Sequence, residues 1–219
     1  MLKAVLFDMD GVIVDTEPLH RKAYFKMFED VGIIVPQSMY DGFTGQSTIN
    51  ICKTLCDTFA LEREPLDLAS IKRKHFKKLF DTDETLELLP GVLSLIQDFA
   101  SHGVTLVLAS SASMPNIDRI FNRFELNQYF KAKISGADLK QSKPHPEIFT
   151  KAAELAGVTK EQCMVIEDAT NGIKAAKAAG IYCVAYNSEH SKNQDYSLAD
   201  KVVSSFSEIL YDCMHPIFE

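Results

Sequence analysis

The sequence predicts an α/β fold: a doubly wound parallel β-sheet, covered by helices on both faces, with an all-helical cap domain inserted after the first strand. Short, continuously apolar runs alternate with helical patterns, which is typical of buried parallel strands joined by helical crossovers. Residues 16–88 break this alternation, because they contain helical patterns and no convincing strand. We therefore assign residues 1–15 and 89–219 to an α/β core and residues 16–88 to the cap.

The predicted strands are six short apolar runs, at residues 4–7, 104–109, 132–135, 164–166, 181–186 and 201–203. The helices predicted in the core cover residues 91–101, 115–124, 144–156 and 172–179. Several of them have proline near the start or glycine just past the end, as at Gly157 and Gly180, which is typical of helix ends. In the cap, apolar stripes at helical spacing predict helices at residues 20–31, 47–59 and 69–80.

Length and charge limit the classes of protein that fit. The chain has 219 residues, 46% of them hydrophobic and 24% charged, close to the average for soluble globular proteins. Lysine and arginine number 23 against 30 acidic residues, so the formal net charge is −7. This balance disfavours nucleic acid or an anionic membrane surface as the main partner. A small anion is still a possible ligand, because local positive charge rather than the net charge of the chain binds it.

The cysteines do not form a recognisable framework. They are Cys52, Cys56, Cys163, Cys183 and Cys213. Their odd number and the lack of a CxxC pair argue against disulfides and against a paired zinc site. We also find no signal-peptide pattern and no apolar stretch of about 18 residues that could cross a bilayer. We expect a reduced, cytoplasmic protein that acts as a monomer and does not enter a membrane.

The first predicted strand leads directly into the run Asp8-Met9-Asp10-Gly11-Val12. Two acids two residues apart also occur in solvated turns, which is the alternative interpretation. Here, however, both acids stand at the carboxyl end of a buried strand, where parallel sheets bind their ligands. A calcium-binding loop is excluded, because glycine is fourth rather than sixth and Leu19 is at the twelfth position, where glutamate belongs.

Serines follow the second strand. The run from Ser110 and Ser111 to Ser113 offers hydroxyl groups and backbone N–H groups just before a predicted helix. Such a helix start suits a phosphate group. For Ser113 alone, simple capping of that helix is an equally good interpretation.

Lys143 and the pair Glu167-Asp168 add charged groups at further strand ends. A lone lysine is usually a surface residue, but two acids at the tip of a buried strand are costly unless a positive group neutralises them. With Asp8 and Asp10, this set fits a mechanism in which a carboxylate attacks a phosphoryl group. Unit charges about 4 Å apart repel by about 4 kcal/mol at an effective dielectric constant near 20, so the attack requires local cations. Lys143 supplies one, and magnesium between Asp8 and Asp168 fits best as the other.

These residues resemble the motifs of the haloacid dehalogenase-like superfamily over essentially the whole chain. The DMDGV run resembles its first motif, Ser110 its second, Lys143 its third and Glu167-Asp168 its fourth, in the same order. The resemblance implies a Rossmann-like core with an inserted helical cap. The second acid of the first motif, Asp10, implies phosphate-ester chemistry rather than dehalogenation.

The same resemblance implies a role for each residue. Asp8 is expected to be the nucleophile. Asp10 is expected to be the general acid and then the general base, with a proton affinity raised above that of Asp8. Mg²⁺ is expected to be held by Asp8, the backbone carbonyl of Asp10 and Asp168, with Glu167 supporting the metal site. The residues expected to bind the phosphoryl group are Ser110, Ser111 and Lys143.

Within the superfamily, the chain resembles most closely the β-phosphoglucomutase subgroup and related sugar-phosphate phosphatases. His20 and Lys72 lie where the mutase has a cap histidine and a cap lysine; the alternatives are an exposed histidine and a solvated helix face. Residues 43–48, which include Gly45, resemble the cap loop that closes over the substrate. Thr48 stands where the mutase has an arginine that grips a second phosphate. Threonine cannot make that bidentate contact, although Lys72 or Arg73 could compensate.

We therefore predict a Mg²⁺-dependent phosphatase that hydrolyses small phosphorylated metabolites, in particular sugar phosphates, through an aspartyl-phosphate intermediate. The alternative is a β-phosphoglucomutase, an isomerase that uses the same chemistry. A non-catalytic binding protein on the same fold is the remaining alternative. The expected partner is a small phosphorylated metabolite, and neither nucleic acid nor a membrane.

Overall fold

The computed structural model describes residues 1–43, 46–187 and 194–219. Its centre is a six-stranded sheet whose paired strands all run parallel. The strands are β1 Ala4–Phe7, β2 Thr105–Ser110, β3 Phe130–Ser135, β4 Cys163–Glu167, β5 Tyr182–Tyr186 and β6 Lys201–Val203. Their order in the sheet, β3-β2-β1-β4-β5-β6, is that of a doubly wound fold. The predicted fold class and all six predicted strands are confirmed.

From β1 to β5, helices alternate with the strands except in one place. In the described part of the chain they are α1 Glu17–Val31, α2 Gln37–Asp41, α3 Thr48–Phe59, α4 Pro65–Thr82, α5 Val92–Ser101, α6 Met114–Arg123, α7 Glu147–Ala156, α8 Thr170–Ala178 and α9 Tyr211–Met214. Helices α1 to α4 all lie between β1 and β2, where the sequence predicts a helical insertion. The boundaries of the two domains, at residues 16 and 88, stay a prediction. No described helix is both long and apolar enough to span a membrane.

Two apolar clusters lie on the two faces of the sheet. Successive side chains of a strand point to opposite faces, so Val5 and Phe7 join one cluster and Ala4 and Leu6 the other. Helices α5 and α6 cover the first face, and α7 and α8 cover the second. Because β1 is buried on both faces, its sequence is continuously apolar, which is the pattern from which it was predicted.

A third apolar cluster lies within the helical insertion, where α1, α3 and α4 pack together around residues such as Met27 and Leu55. The insertion also contacts the core. Leu19 of α1 and Phe76 and Phe80 of α4 belong to the same apolar cluster as Val5 and Phe7 of β1. These contacts bring the first turn of α1 and the middle of α4 over the carboxyl end of β1.

The strand order decides where the polar residues meet. Strand β1 lies between β2 and β4, with Phe7 aligned to Leu108 on one side and to Ile166 on the other. The residues that follow these three strands therefore stand side by side at one edge of the sheet. This is the point at which the strand order reverses, and open α/β sheets bind their ligands there.

Candidate active site

A cavity of about 400 Å³ opens above the carboxyl ends of β1 and β4, roofed by the inserted helices. This volume suits a small metabolite. Most of the residues predicted for the site meet there. Its lining includes Asp8, Asp10, His20, Thr48, Lys72, Ser111, Lys143, Glu167 and Asp168. The structure thus brings together residues that lie up to 160 positions apart in the chain, which is the arrangement the strand-end motifs predict.

A buried ammonium group lies at the floor of the cavity. Lys143 Nζ donates hydrogen bonds to Asp8 Oδ1 at 2.5 Å, to Glu167 Oε1 at 2.6 Å and to the carbonyl oxygen of Ala109 at 3.0 Å. Lys143, Asp8 and Glu167 are all buried, so the alternative of a surface lysine is wrong. One cation is shared by two carboxylates that come from two different strands.

The contacts among Lys143, Asp8 and Glu167 influence the ionisation of Lys143 and Asp8. Burial opposes the charge of Lys143, but the carboxylates of Asp8 and Glu167 outweigh that effect and raise its pKa, so it stays an ammonium ion. Burial also raises the pKa of Asp8 to about 7; Lys143 opposes this increase, whereas the charges of Glu167 and Asp10 reinforce it. Additional positive charge beside Asp8 would favour its ionised, nucleophilic form.

Glu167 is held on both of its oxygens. Oε1 accepts the bond from Lys143, and Oε2 accepts the backbone N–H groups of Asp168 and Ala169, each at 3.0 Å. This arrangement requires a residue without a side chain in the first turn of α8. A Cβ atom on Gly172 would lie 1.7 Å from Glu167 Oε1. Gly172 is therefore a positioning residue, whereas the sequence pattern predicts it only as the start of a helix.

The acidic cluster has the composition of a metal site. Carboxylate oxygens of Asp8, Glu167 and Asp168 lie within 4.8 Å of one another, and all three residues are buried. Lys143 balances one of three negative charges, so a divalent cation with oxygen ligands fits both the charge and the donor set. Because Glu167 is already bonded on both oxygens, it fits the predicted supporting role, and Asp8 and Asp168 fit that of ligands.

Gly11 lets the loop after β1 approach this cluster. Its φ of +82° is favourable only for glycine, and a Cβ atom there would lie 2.0 Å from Asp168 Oδ2. Two constraints therefore favour glycine at position 11: its backbone has a positive φ, and a side chain there would clash with the carboxylate of Asp168.

The other acid of the first motif, Asp10, faces the inserted helices. The Thr16 hydroxyl donates a hydrogen bond to Asp10 Oδ1, and His20 Nε2 lies 3.6 Å from the same oxygen. His20 Nδ1 in turn lies 2.6 Å from Lys72 Nζ, and the His20 ring stacks on Phe76 with centroids 4.3 Å apart. Lys72 is 1% exposed, so its alternative, a solvated helix face, is wrong. His20, with a side chain 16% exposed, is not the exposed histidine of the other alternative.

The expectation that Asp10 binds a proton more firmly than Asp8 is wrong for this arrangement. Burial favours the protonated form of Asp10, but the hydrogen bond and charge of His20, the hydroxyl of Thr16 and the charge of Lys72 outweigh it and lower its pKa. At Asp8, by contrast, burial prevails and raises the pKa. The order depends on cap residues that contact Asp10 across the domain boundary, and a motif in one strand does not specify those contacts.

The serines after β2 differ in position. Ser111 lines the cavity, as predicted for a phosphate ligand. Ser110 is fully buried, and its Oγ accepts the backbone N–H of Ala112, so it shapes the loop. Ser113 occupies the N-cap position of α6 without a side-chain capping bond. The role of these serines in phosphate binding stays a prediction.

The cap loop joins the core beside Lys143. Thr48, the first residue of α3, lines the cavity and is hydrogen-bonded to the side chain of Tyr24. The preceding residue, Ser47, is fully buried and accepts a hydrogen bond at 2.9 Å from the hydroxyl group of Ser142, next to Lys143. No pattern in the sequence points to this contact. Gly45, which we predict in the loop that closes over the substrate, lies outside the described residues.

The comparison with known proteins agrees with this geometry. The family model for haloacid dehalogenase-like hydrolases matches residues 5–186, and the chain belongs to this family of enzymes. A phosphorylated carbohydrates phosphatase of Thermotoga maritima is 32% identical over 91% of both chains. The β-phosphoglucomutase of Bacillus subtilis is 30% identical over all of this chain and 96% of its own. The family predicted from the four motifs is thus confirmed.

Solved structures show the same similarity. The β-phosphoglucomutase of Clostridium difficile superimposes with a TM-score of 0.86 at 27% identity, over all of this chain and 97% of its own. A CbbY protein of Rhodobacter sphaeroides, solved with xylulose-(1,5)bisphosphate, has a TM-score of 0.84 at 26% identity, over 95% of this chain and 96% of its own. The chain is therefore similar over its whole length to phosphatases and to a phosphoglucomutase.

Replacing Gly172 by alanine tests how Glu167 is positioned. The new methyl group would displace the Glu167 carboxylate and with it Lys143 and Asp8, so we expect kcat/KM for p-nitrophenyl phosphate to fall about 100-fold. Gly42→Ala is the matched control, because its added Cβ atom meets only a backbone oxygen at 3.4 Å, an ordinary contact. A folded Gly172→Ala variant with wild-type activity would contradict the assignment.

The lowered pKa of Lys72 predicts that the stability of the protein depends on pH. Burial lowers the pKa of Lys72 from 10.5 to about 8, despite the charges of Asp10 and Glu17. Between pH 8 and 10.5 the unfolded chain thus binds more protons than the folded one. The destabilising contribution of Lys72 to the free energy of unfolding therefore becomes smaller as the pH rises. Relative to Lys72→Met, wild type should gain roughly 3 kcal/mol in the free energy of unfolding from pH 7.5 to pH 10.5. Urea denaturation at the two pH values measures this, and a difference that does not change with pH would refute it.

Proposed function

We propose that this protein is a Mg²⁺-dependent phosphatase of small phosphorylated metabolites, in particular sugar phosphates, that forms an aspartyl phosphate on Asp8. The observation that carries the proposal is the buried contact of Lys143 with both Asp8 and Glu167 at the floor of the cavity. A fixed cation against a buried carboxylate offsets the repulsion between that carboxylate and an anionic phosphoryl group. In this proposal the protein is a cytoplasmic monomer that binds a small phosphorylated metabolite, and neither nucleic acid nor a membrane.

The first step forms a bond between an Asp8 carboxylate oxygen and phosphorus while the bond to the ester oxygen breaks. Lys143 and the N–H groups of the loop at Ser111 bind the oxygens of the phosphoryl group. The carboxyl group of Asp10 gives its proton to the leaving oxygen and becomes a carboxylate. Asp8, Asp168 and the carbonyl of Asp10 would hold Mg²⁺, which supplies positive charge to the phosphoryl oxygens when bound.

The second step releases inorganic phosphate. A water molecule attacks the phosphorus, Asp10 accepts its proton, and the Asp8 carboxylate departs in its original form. The lowered pKa of Asp10 keeps it a carboxylate once it has given up its proton, and this is the form that accepts a proton from water. The contacts of Thr16 and His20 orient the Asp10 carboxylate for this transfer.

The cap couples this chemistry to substrate binding. Lys72 and His20 belong to the inserted helices α4 and α1, whereas Asp10 follows β1 in the core. The contacts between them exist only when the insertion is seated over the cavity. Closure therefore both excludes bulk water and aligns Asp10.

The position of Thr48 favours a phosphatase over a mutase. A mutase has to retain a bisphosphorylated intermediate while it turns around, and Thr48 offers a short neutral side chain where the resemblance places an arginine. A β-phosphoglucomutase is the second candidate function, because relatives with that name match this chain over its whole length.

One assay separates the two candidates. The protein is incubated with Mg²⁺, β-glucose 1-phosphate and a trace of glucose 1,6-bisphosphate, and both products are measured. We expect inorganic phosphate and free glucose, because water is the acceptor of the phosphoryl group. Glucose 6-phosphate as the main product would show that the protein is a mutase.

Metal dependence is a separate prediction. Excess EDTA should stop the hydrolysis of phosphate esters and Mg²⁺ should restore it. Asp168→Asn should raise the Mg²⁺ concentration required for half-maximal activity by about tenfold or more, because it removes a carboxylate ligand. Asp57→Asn, the same change on an exposed face of α3, is the control. Turnover that continues in EDTA would count against the metal site.

A further inference from the structure

The part of the cavity roofed by the inserted helices contains a carboxylate that the chemical steps above do not use. Glu17, the first residue of α1, lines the cavity, as do Tyr40 and Thr48. The Tyr40 hydroxyl donates a hydrogen bond of 2.8 Å to Glu17 Oε1. An ionised carboxylate can accept about four hydrogen bonds, so Glu17 retains the capacity to accept others from a bound molecule.

This carboxylate is held in place. The backbone N–H of Glu17 donates to Asp15 Oδ1 at 3.2 Å, which fixes the start of the helix. Tyr40 is buried, and its ring packs against those of Tyr24 and Phe43, with centroids 6.0 and 5.9 Å away. Such a fixed acceptor can select a ligand, because little conformational entropy is lost when it binds.

The nearby positive groups are engaged elsewhere. Lys72 and His20 contact each other, and His20 faces Asp10. The Arg21 guanidinium lies on the rings of Phe25 and Tyr40 and donates to Gln37 Oε1 at 2.9 Å. These cations also line the cavity, so a second anionic group on the substrate would meet them together with the carboxylates of Glu17, Asp15 and Asp41.

We propose that Glu17, positioned by Tyr40, is a specificity-determining residue that selects phosphate monoesters of uncharged, polyhydroxylated leaving groups. Its carboxylate accepts a hydrogen bond from a hydroxyl group of the leaving group and repels a leaving group that carries a further negative charge. This inference rests on the proposed phosphatase function and adds to it the residue that selects the leaving group. A site that hydrogen-bonds a substrate hydroxyl rejects an analogue that lacks it.

Three six-carbon monoesters test the proposal. Sorbitol 6-phosphate carries hydroxyl groups and no second charge, n-hexyl phosphate carries no hydroxyl group, and 6-phosphogluconate carries a carboxylate at the far end. We expect wild type to prefer sorbitol 6-phosphate to each of the others by about tenfold or more in kcat/KM, as the loss of one hydrogen bond to a charged group implies.

Glu17→Gln keeps the shape of the side chain and removes its charge. We expect it to reduce the preference for sorbitol 6-phosphate over 6-phosphogluconate by about tenfold, since the repulsion is gone. Tyr40→Phe, which releases Glu17, should reduce the preference over n-hexyl phosphate by about threefold, mainly through KM. Glu29→Gln, the same change on an exposed position of α1, is the matched control and should leave all ratios as in wild type.

The outcomes separate this inference from the function on which it rests. If wild type hydrolyses none of the three esters and no p-nitrophenyl phosphate, the proposed function fails. If wild type hydrolyses them but Glu17→Gln changes kcat/KM for all three by the same factor, or for none, the selection by Glu17 is overturned while the phosphatase stands. A change in the ratios supports the inference, because general damage to the fold cannot produce it.

Discussion

The site depends on one buried cation. Lys143 reaches from the loop before α7 to Asp8 after β1 and to Glu167 at the end of β4, and all three residues are buried. Burying such charges is costly, and removing one partner from a buried ion pair typically destabilises a protein by about 3–5 kcal/mol. The arrangement persists because every member is satisfied, and it leaves an excess of negative charge that a divalent ion can balance.

A second buried lysine shows how much the neighbours matter. Lys72 is as buried as Lys143, yet its pKa is lowered to about 8, whereas that of Lys143 is raised. Two carboxylates bond directly to Lys143, while the hydrogen-bonding partner of Lys72 is the imidazole of His20, and Asp10 and Glu17 act on it from farther away. The core lysine is thus a permanent positive charge at the floor of the cavity. The cap lysine has a pKa of about 8, and its charge acts on Asp10 from the inserted helices.

Much of this arrangement could be predicted from the sequence, because it follows from local patterns. The apolar runs specify the strands, and parallel strands place their carboxyl ends at one edge, so Asp8 and Asp168 had to meet. Lys143 lies farther from its strand, in the loop before α7, and the order of the motifs indicated its place. What the sequence did not reveal depends on tertiary contacts. Gly172 matters because of the carboxylate beside it, and Glu17 because of a tyrosine 23 positions away. The relative proton affinities of the two motif acids were predicted in the wrong order for the same reason.

The central claim is that Asp8 carries the phosphoryl group during turnover, and trapping that adduct tests it most directly. The enzyme is mixed with excess sorbitol 6-phosphate and Mg²⁺, quenched in acid within milliseconds, and analysed by mass spectrometry of the peptide that contains Asp8. We expect a phosphoryl adduct on Asp8 that forms and decays at rates consistent with turnover and is missing in Asp8→Asn, which should be inactive. Rapid hydrolysis with no adduct at any quench time, or an Asp8→Asn protein that still turns over, would contradict the account.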